Sequence, residues 1–381
     1  MGDGRKKDFH RMIGDRIRVA REAADLTQRQ LSDRLGFRDR QTLSAIETGE
    51  RRVTSEELLG VIRVLAKDLD FFTDPFRLVG EGAFSWRAQA GPAELESFEE
   101  KARGWIAAYR ALGEDLDETF NPLAPRLGLT IRSLFEEAWD AAERLNRAWE
   151  LGARPAATLP RVAEEKLDIL VLHVDMEGLP ISGAACHLPE FDTILINRRD
   201  HEGRRAFDFA HELFHILTWP TMPPDRLDTE SPAGYKAKRT ELLANNFAGA
   251  LLMPGGAIID RWNQRGRTEI HNWIKRTAAE FRVTALALYN RLRALDLIPA
   301  AEHASITEAR LTWTGRVPPV GSLPPLFSAK YMRRVRKALD RGFLSERRAA
   351  SLLGLSLEEM GSLMETYGLA PEPVQAAGDG A

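Results

Sequence analysis

The first 67 residues show apolar positions at helical spacing and predict four short helices. Capping boxes, with the pattern S/T-x-x-E/Q, begin two of these helices at Thr27 and Thr54. Gly36 ends the second helix, and a third is predicted from about residue 40 to residue 47. The apolar positions that would be buried between the helices are Ile13, Ile17, Ala20, Leu31, Leu35, Leu58, Ile62 and Leu65.

The rest of the chain predicts further helices and a small β-sheet, which makes the fold mainly α with some β (α+β). Residues 71–151 are acidic, rich in tryptophan and helical in pattern. Two short aliphatic runs, residues 167–174 and 193–197, predict strands. Helical periodicity returns in residues 204–214, 241–253, 285–297 and 328–367. The small, polar tail after Ala370 is predicted to be disordered.

Composition limits the classes of protein that fit. The length of 381 residues suits two or three domains, and no apolar run approaches the ~20 residues of a membrane-spanning helix. Cys186 is the only cysteine, which excludes a disulfide framework and a multi-cysteine zinc site. We therefore expect a cytoplasmic protein with no membrane partner. The net charge of −3 does not exclude DNA, because residues 1–67 carry 15 Lys and Arg against 11 Asp and Glu.

The motif His211-Glu-Leu-Phe-His215 lies in an apolar stretch that is predicted to be helical. Residues four apart share one face of a helix, so His211 and His215 can offer two imidazole nitrogens to one metal ion. Glu212 lies beside that face, where its carboxylate can take a proton from an attacking water. The pattern predicts a hydrolytic zinc site with Glu212 as its catalytic residue. The alternative is a half-buried helix with two hydrogen-bonded histidines.

A catalytic zinc needs a third protein ligand, and Glu241 is the candidate. It lies at the start of residues 241–253, an apolar run that is predicted to be helical. The metzincin pattern fails, because Thr218 and Thr221 occupy the positions of its Gly and third His. The predicted ligands are therefore His211, His215 and Glu241, for Zn²⁺ or, as the alternative ion, Mn²⁺.

Residues 207–215 and 241–254 resemble the ImmA/IrrE family of metallo-endopeptidases, whose members cut XRE-type repressors and so relieve transcriptional repression. The resemblance extends from about residue 159 to residue 298. It implies a zincin-like fold, with zinc ligands and a general base at His211, His215, Glu241 and Glu212. Phe214 departs from the family, which usually has glycine there, and a larger side chain would narrow the site.

Peptide hydrolysis also benefits from a donor aimed at the developing oxyanion. Tyr235, Asn245 and His271 carry suitable groups, although an ordinary structural hydrogen bond explains each of them as well. Residues 193–197 are a candidate for aligning substrate by strand addition, or else a buried strand.

Residues 12–70 resemble XRE (Cro/C1-type) helix-turn-helix domains, with residues 40–47 as the recognition helix. The N-terminal end of such a helix reaches base edges in the major groove. Asp39 precedes it and adds an unfavourable negative charge. The predicted contacts are Arg40, Gln41, Thr42 and Ser44 with bases, and Gln28, Arg51 and Arg52 with phosphates. A helical protein-binding module is the alternative, because the local charge is modest.

A basic stretch at residues 330–341 precedes a second helix-turn-helix-like pattern, with Gly354 and the capping pair Ser356 and Glu359. Because no base-reading pattern accompanies it, we interpret it as a solvated helix face or a docking element.

These patterns predict four parts along the chain. They are an XRE-type DNA-binding domain at residues 1–70, a helical connector at 71–158, a zincin-like metallopeptidase domain at 159–300, and a helical block with the tail at 301–381. We expect a stress-responsive endopeptidase that binds a DNA operator and cuts an XRE-type repressor or antitoxin-like protein, with a homodimer as a further expectation. The alternative is a DNA-binding repressor or antitoxin whose peptidase-like domain senses a signal without proteolysis. Self-cleavage within residues 71–158 is a third hypothesis, which no motif supports.

Overall fold

A computed structural model describes residues 2–88, 92–120, 126–176, 178–228, 234–312 and 323–370. The chain divides into two compact units. The first contains residues 1–81 and 99–114, and the second contains residues 82–98 and 115–381. The tail after Ala370, predicted to be disordered, lies outside the described residues.

The first unit is a helical bundle. Its helices are α1 (Gly2–Ala23), α2 (Gln28–Leu35), α3 (Arg40–Glu47), α4 (Ser55–Leu65), α5 (Leu69–Thr73) and most of α6 (Pro92–Asp115). The capping boxes predicted at Thr27 and Thr54 are both present. Gly36 ends α2 in the left-handed conformation at φ 72°, which glycine adopts at little cost. Ile17, Leu31 and Leu43 are fully buried where the helices meet.

Two local features fix the geometry of α3. A Cβ atom at Gly14 of α1 would stand 2.1 Å from the carbonyl oxygen of Ile46, so only glycine permits this close helix packing. The carboxylate of Asp39 accepts a hydrogen bond of 2.9 Å from the backbone N–H of Thr42. Asp39 is therefore the N-cap of α3, a structural role that was not predicted from the sequence.

The second unit contains one mixed five-stranded sheet. Its strands are β1 (Ala83–Ala88), β2 (Leu170–Val174), β3 (Ile181–His187), β4 (Asp192–Asn197) and β5 (Leu227–Asp228). Their order in the sheet is β2-β4-β3-β1-β5. β3 is antiparallel to both β1 and β4, whereas β2 is parallel to β4 and β5 is parallel to β1. The predicted α+β class, mainly helical with a small sheet, is confirmed.

Two details of the sheet differ from the sequence predictions, and a third decides between two alternatives for residues 193–197. The helical interpretation of residues 71–151 is wrong at β1, where Phe84 and Trp86 alternate with polar residues, stack at 5.3 Å and are buried. The strand predicted at residues 167–174 is shorter, because Leu167 is the last residue of a helix. Residues 193–197 form most of β4, which pairs on both sides, so this strand has no free edge for substrate.

The helices of the second unit surround this sheet. They are α7 (Phe135–Ala148), a 3₁₀ turn (Pro155–Ala157), α8 (Leu159–Leu167), α9 (Glu202–Thr218), α10 (Tyr235–Leu252), α11 (Gly255–Asn263), α12 (Ile270–Phe281), α13 (Ala285–Ala294), α14 (Ala300–His303), α15 (Glu308–Leu311), α16 (Ala329–Asp340), α17 (Glu346–Leu353) and α18 (Leu357–Thr366). α9 packs against β3 and β4, and α10 packs against both α9 and α7. Leu243, Phe247 and Leu251 of α10 are fully buried.

The C-terminal helices belong to the same unit. The capping box predicted at Ser356 is present, and Gly354 ends α17 in the left-handed conformation. The basic helix α16 buries Tyr331 and Met332, and its Arg334 and Lys337 both pair with Glu118 at 2.8 and 2.7 Å. Part of its positive charge is thus neutralised inside the unit.

No single helix among the described residues is long and apolar enough to cross a membrane. α10 and α11 pass that test only as a pair bent by 61°.

Candidate metal centre

Helix α9 carries the histidine motif through the middle of the second unit. It begins at His201, whose side chain accepts a hydrogen bond from the backbone N–H of Gly203. A Cβ atom at Gly203 would stand 2.5 Å from the backbone of Val283, so glycine lets α9 begin close to the segment that precedes α13. Leu213 and Leu217 are buried in the core and hold the helix in place.

The side chains of His211, His215 and Glu241 converge on one point. The two Nε2 atoms of the histidines lie 3.0 Å apart. The Glu241 carboxylate brings one oxygen within 3.0 Å of His211 Nε2 and the other within 3.5 Å of His215 Nε2. One ligand atom from each residue lies within 4.8 Å of the others. The structure thus brings together the three side chains that the spacing predicted as ligands.

This donor set fits a zinc ion. Zinc–nitrogen bonds of about 2.0–2.1 Å in a tetrahedral arrangement separate two ligand atoms by about 3.3 Å, close to the observed separation. Two imidazoles and one carboxylate also match the ligand types of catalytic zinc sites, which keep a fourth position open.

The charge states of the cluster favour a cation. Burial, helped by the positive charge of Arg87, lowers the pKa of His211 to about 4, so its imidazole is neutral near pH 7. Burial acts to raise the pKa of Glu241, but its close contacts with the imidazoles of His211 and His215 outweigh it and hold that pKa below its usual range. Neutral imidazole and ionised carboxylate are the forms that bind metal.

Asn245 of α10 orients the first histidine. Its side-chain oxygen lies 3.0 Å from Nδ1 of His211. An amide oxygen only accepts hydrogen bonds, so it holds the proton on Nδ1 and leaves the lone pair of Nε2 for the metal. α10 is itself tied to α7, because the indole N–H of Trp139 donates to the Asn246 side chain at 2.8 Å.

Glu212 lies on the side of α9 that faces the sheet. It is 2% exposed, and a Cβ atom at Gly183 of β3 would stand 3.6 Å from its Cγ. The Glu212 side chain therefore extends towards β3, and Glu212 is not among the three residues whose ligand atoms converge.

A buried carboxylate, Asp208, lies one turn before the motif and was missed by sequence reasoning. Its oxygens lie 3.3 Å from Arg87 and 3.4 Å from Arg204. Burial raises its pKa, and the two guanidinium groups counter that effect. Arg87 comes from β1, far away in the chain, so no local pattern could have indicated the pair.

A second group missed from the sequence lies at the other end of α9. His187, the last residue of β3, pairs through Nδ1 with Asp192 at 2.6 Å, and its ring stacks on Trp219 at 5.4 Å between centroids. The hydrogen bond with Asp192 raises the pKa of His187.

The candidate ligand cluster is largely buried, with both histidines 1% exposed, and Glu241 also lines a cavity of about 320 Å³. Lys236, Ala237 and Thr240 of α10 form one wall of this cavity, and Thr221 and Met222 lie in another.

The three candidate oxyanion donors lie in different surroundings. Asn245 accepts from His211, so it positions a ligand. His271 is 2% exposed, and its two nitrogens meet Glu269 and the backbone N–H of Thr307, which makes it a structural residue. Tyr235 is 76% exposed at the first turn of α10 and stays a prediction.

Phe214 does not narrow the site. It is fully buried in the core, 5.5 Å from the Phe247 ring and edge-on to His215 at 5.8 Å. It packs beneath His215 and is not one of the residues whose ligand atoms converge.

In the first unit, the predicted DNA contacts fall into two groups. Arg40 and Gln41 are exposed at the start of α3, and Arg52 is exposed in the following loop. Thr42 and Ser44 are half-buried on α3, and the Thr42 hydroxyl donates a hydrogen bond to the Asp39 carboxylate. Gln28 and Arg51 are engaged inside the unit: Gln28 donates to buried Glu47 at 2.8 Å, and Arg51 pairs with Glu57 at 2.7 Å. The contacts themselves stay predictions.

Comparisons with known proteins agree with this arrangement. Residues 164–293 match a family model described as an IrrE N-terminal-like domain (Peptidase_M78), and residues 17–72 match one described as a helix-turn-helix. A search of curated proteins finds no significant match to the chain. The matched segments contain α9, α10 and the whole of α3. Residues 164–293 therefore form a metallopeptidase-type domain of the IrrE kind, and residues 17–72 form a helix-turn-helix DNA-binding domain. These matches confirm the resemblance to ImmA/IrrE proteins that carry an N-terminal XRE-type domain.

Proposed function

We propose that this protein is a zinc-dependent endopeptidase that binds DNA through its helix-turn-helix domain and cuts a partner protein. The observation that carries the proposal is the convergence of His211, His215 and Glu241 within 4.8 Å, inside a domain of the metallopeptidase type. Glu212, next to the first ligand on the same helix, gives this cluster the carboxylate that hydrolysis needs.

The chain's own residues have distinct roles in this proposal. His211, His215 and Glu241 hold the ion, and Asn245 keeps His211 in the tautomer that leaves Nε2 free. Zinc, when bound, polarises a carbonyl and makes water more acidic. The Glu212 carboxylate accepts the proton of the attacking water and then returns it to the leaving amine. Burial of the site strengthens these electrostatic interactions by excluding bulk water.

The proposed substrate is an XRE-type repressor or an antitoxin-like protein. A DNA-binding domain on the same chain can bring the peptidase to the operators on which such regulators sit. Tethering of this kind raises the effective concentration of enzyme near substrate without any new contact. In this proposal residues 1–70 locate the target and residues 159–300 cut it.

The test compares the wild-type protein with Glu212→Gln, each loaded with zinc or with manganese. Both are incubated with candidate repressors encoded beside the gene and with a library of internally quenched peptides. We expect Glu212→Gln to bind zinc as the wild type does but to lose cleavage, because an amide cannot take the proton. Identical fragment patterns from the two proteins would overturn the proposal. No cleavage by either protein, together with intact operator binding, would favour the sensing alternative.

A further inference from the structure

A second and larger cavity borders a different face of α10 from the cavity at Glu241. Its volume is about 880 Å³, within the range of roughly 300–1,000 Å³ that is typical of small-molecule sites. Helices α9, α10, α12 and α13 all contribute to its walls. The three candidate ligands His211, His215 and Glu241 do not line it, so this space is separate from the metal-facing side of the candidate centre.

The lining of this cavity combines an apolar wall with an excess of positive charge. Phe207, Leu242, Val283 and Leu286 form much of the apolar surface. Arg87, Arg204, Lys275 and Arg291 also line it, whereas Asp208 is the one carboxylate that the described residues contribute to the lining.

The cations of the lining differ in their ion pairs among the described residues. Arg291 is paired with Glu143 at 3.2 Å. Arg87 and Arg204 share the carboxylate of Asp208, and Arg204 reaches Asp200 only at 3.9 Å. Lys275 is exposed at the rim and has no ion-pair partner within the described part of the chain.

We propose that this cavity binds a small amphipathic anion, such as a carboxylate with an aliphatic or aromatic body. The apolar wall would bury the body, and Lys275 and Arg204, both exposed in the lining, would attract the charged group. Asn245 belongs to both sites, because it lines the cavity and holds His211. A ligand that contacts Asn245 therefore changes the affinity of the metal site, and by linkage the metal changes the affinity of the ligand.

The test measures binding alone, so it stands apart from any failure of the proposed peptidase activity. Dodecanoate is titrated into the full-length protein by calorimetry, with 8-anilino-1-naphthalenesulfonate as a fluorescent competitor and dodecanol as the uncharged control. We expect saturable binding of dodecanoate and at least about fivefold weaker binding of dodecanol, since the alcohol lacks the charge. Non-saturable binding, or equal binding of acid and alcohol, would overturn the proposal.

Two variants locate the site. Lys275→Glu should weaken the binding of dodecanoate at least about fivefold. Arg276→Glu makes the same charge change at an exposed neighbour outside the cavity lining and should leave the affinity for dodecanoate unchanged. Ala279→Trp should obstruct part of the cavity and weaken binding, with an unchanged circular dichroism spectrum as the check on folding. Equal effects of the two charge reversals would contradict the assignment. A dissociation constant for dodecanoate that is the same with and without zinc would show that coupling through Asn245 is wrong.

Discussion

The side-chain oxygen of Asn245 lies 3.0 Å from Nδ1 of His211, on the side of the imidazole ring opposite to the nitrogen that faces Glu241. The ring is thus held from both sides, by α10 in each case. Glu241 and Asn245 are one turn apart on that helix, so a single helix supplies both a ligand and the group that orients another ligand.

Asn245→Ala should therefore weaken zinc binding by about 10- to 100-fold, because His211 loses the acceptor that fixes its tautomer and orientation. The measurement is competition for zinc against a chelating indicator of known affinity. Asn245→Asp is the matched control: it keeps an oxygen at the same place and should stay close to the wild type. Equal zinc affinities for the alanine variant and the wild type would show that Asn245 does not support the ligand.

Access to the centre should depend on the cavity of about 320 Å³ at Glu241. Ala237 lines this cavity one turn before Glu241, and Ala237→Trp should fill it. We expect kcat/KM for a peptide substrate to fall by about tenfold or more, with zinc content unchanged, because the obstruction blocks substrate rather than metal. Lys238→Trp, at an exposed position of the same helix outside this cavity, is the control. If both variants cut as the wild type does, substrate reaches the metal by another path.

Phe214 is expected to matter for stability and not for access. Phe214→Ala should lower the free energy of unfolding by about 3–5 kcal/mol, because the fully buried ring leaves a cavity against Phe247. Urea unfolding followed by tryptophan fluorescence measures the change, and Leu242→Ala, at a position 39% exposed, is the control with a small expected effect. A loss below about 1 kcal/mol for Phe214→Ala would mean that the ring is poorly packed.

The parts of this molecule that the sequence predicted are those governed by local geometry. His211 and His215 share a face because a helix repeats about every 3.6 residues, and Thr27 and Thr54 cap helices through bonds to residues three positions away. The limits of the recognition helix, residues 40–47, were predictable for the same reason.

The parts that were missed depend on contacts between distant segments. β3 consists largely of small residues, so it lacks the branched and aromatic side chains that indicate a strand. Its pairing with β1 also joins segments that lie far apart in the sequence. Asp208 meets Arg87 only because that sheet forms. The third ligand was predictable as a residue type on a helix, but its approach to His211 depends on the packing of α10 against α9.

The pair of His187 and Asp192 should make stability depend on pH. The hydrogen bond with Asp192 raises the pKa of His187 above 6.5. The contribution of the pair to the free energy of unfolding is therefore fully present below about pH 6.5 and is lost as the pH rises through the raised pKa. The His187 side chain is 42% exposed, and solvent screening keeps the expected contribution below about 1 kcal/mol.

The measurement is the difference in unfolding free energy between the wild type and His187→Gln at about pH 6 and about pH 9. We expect the larger difference at the lower pH, since imidazolium interacts with the carboxylate more strongly than neutral imidazole does. His303→Gln is the control, because the ring of His303 contacts the Tyr289 hydroxyl and not a carboxylate among the described residues. A difference that stays constant over this range would contradict the assignment.

DNA binding should separate the exposed side chains of the first unit from those that are already paired. Arg40→Ala and Gln41→Ala should each reduce the binding free energy for a selected operator by about 1–3 kcal/mol relative to unrelated DNA, because contacts with bases determine sequence specificity. Arg52→Ala should weaken binding to all DNA sequences alike and should lower the slope of log affinity against log salt concentration by about one. Arg51→Ala should have a smaller effect on both quantities, because Glu57 already neutralises Arg51. Fluorescence anisotropy over a range of salt concentrations measures both quantities, with Arg63→Ala on α4 as the control. Unchanged specificity in both recognition-helix variants would count against α3 as the element that reads the operator.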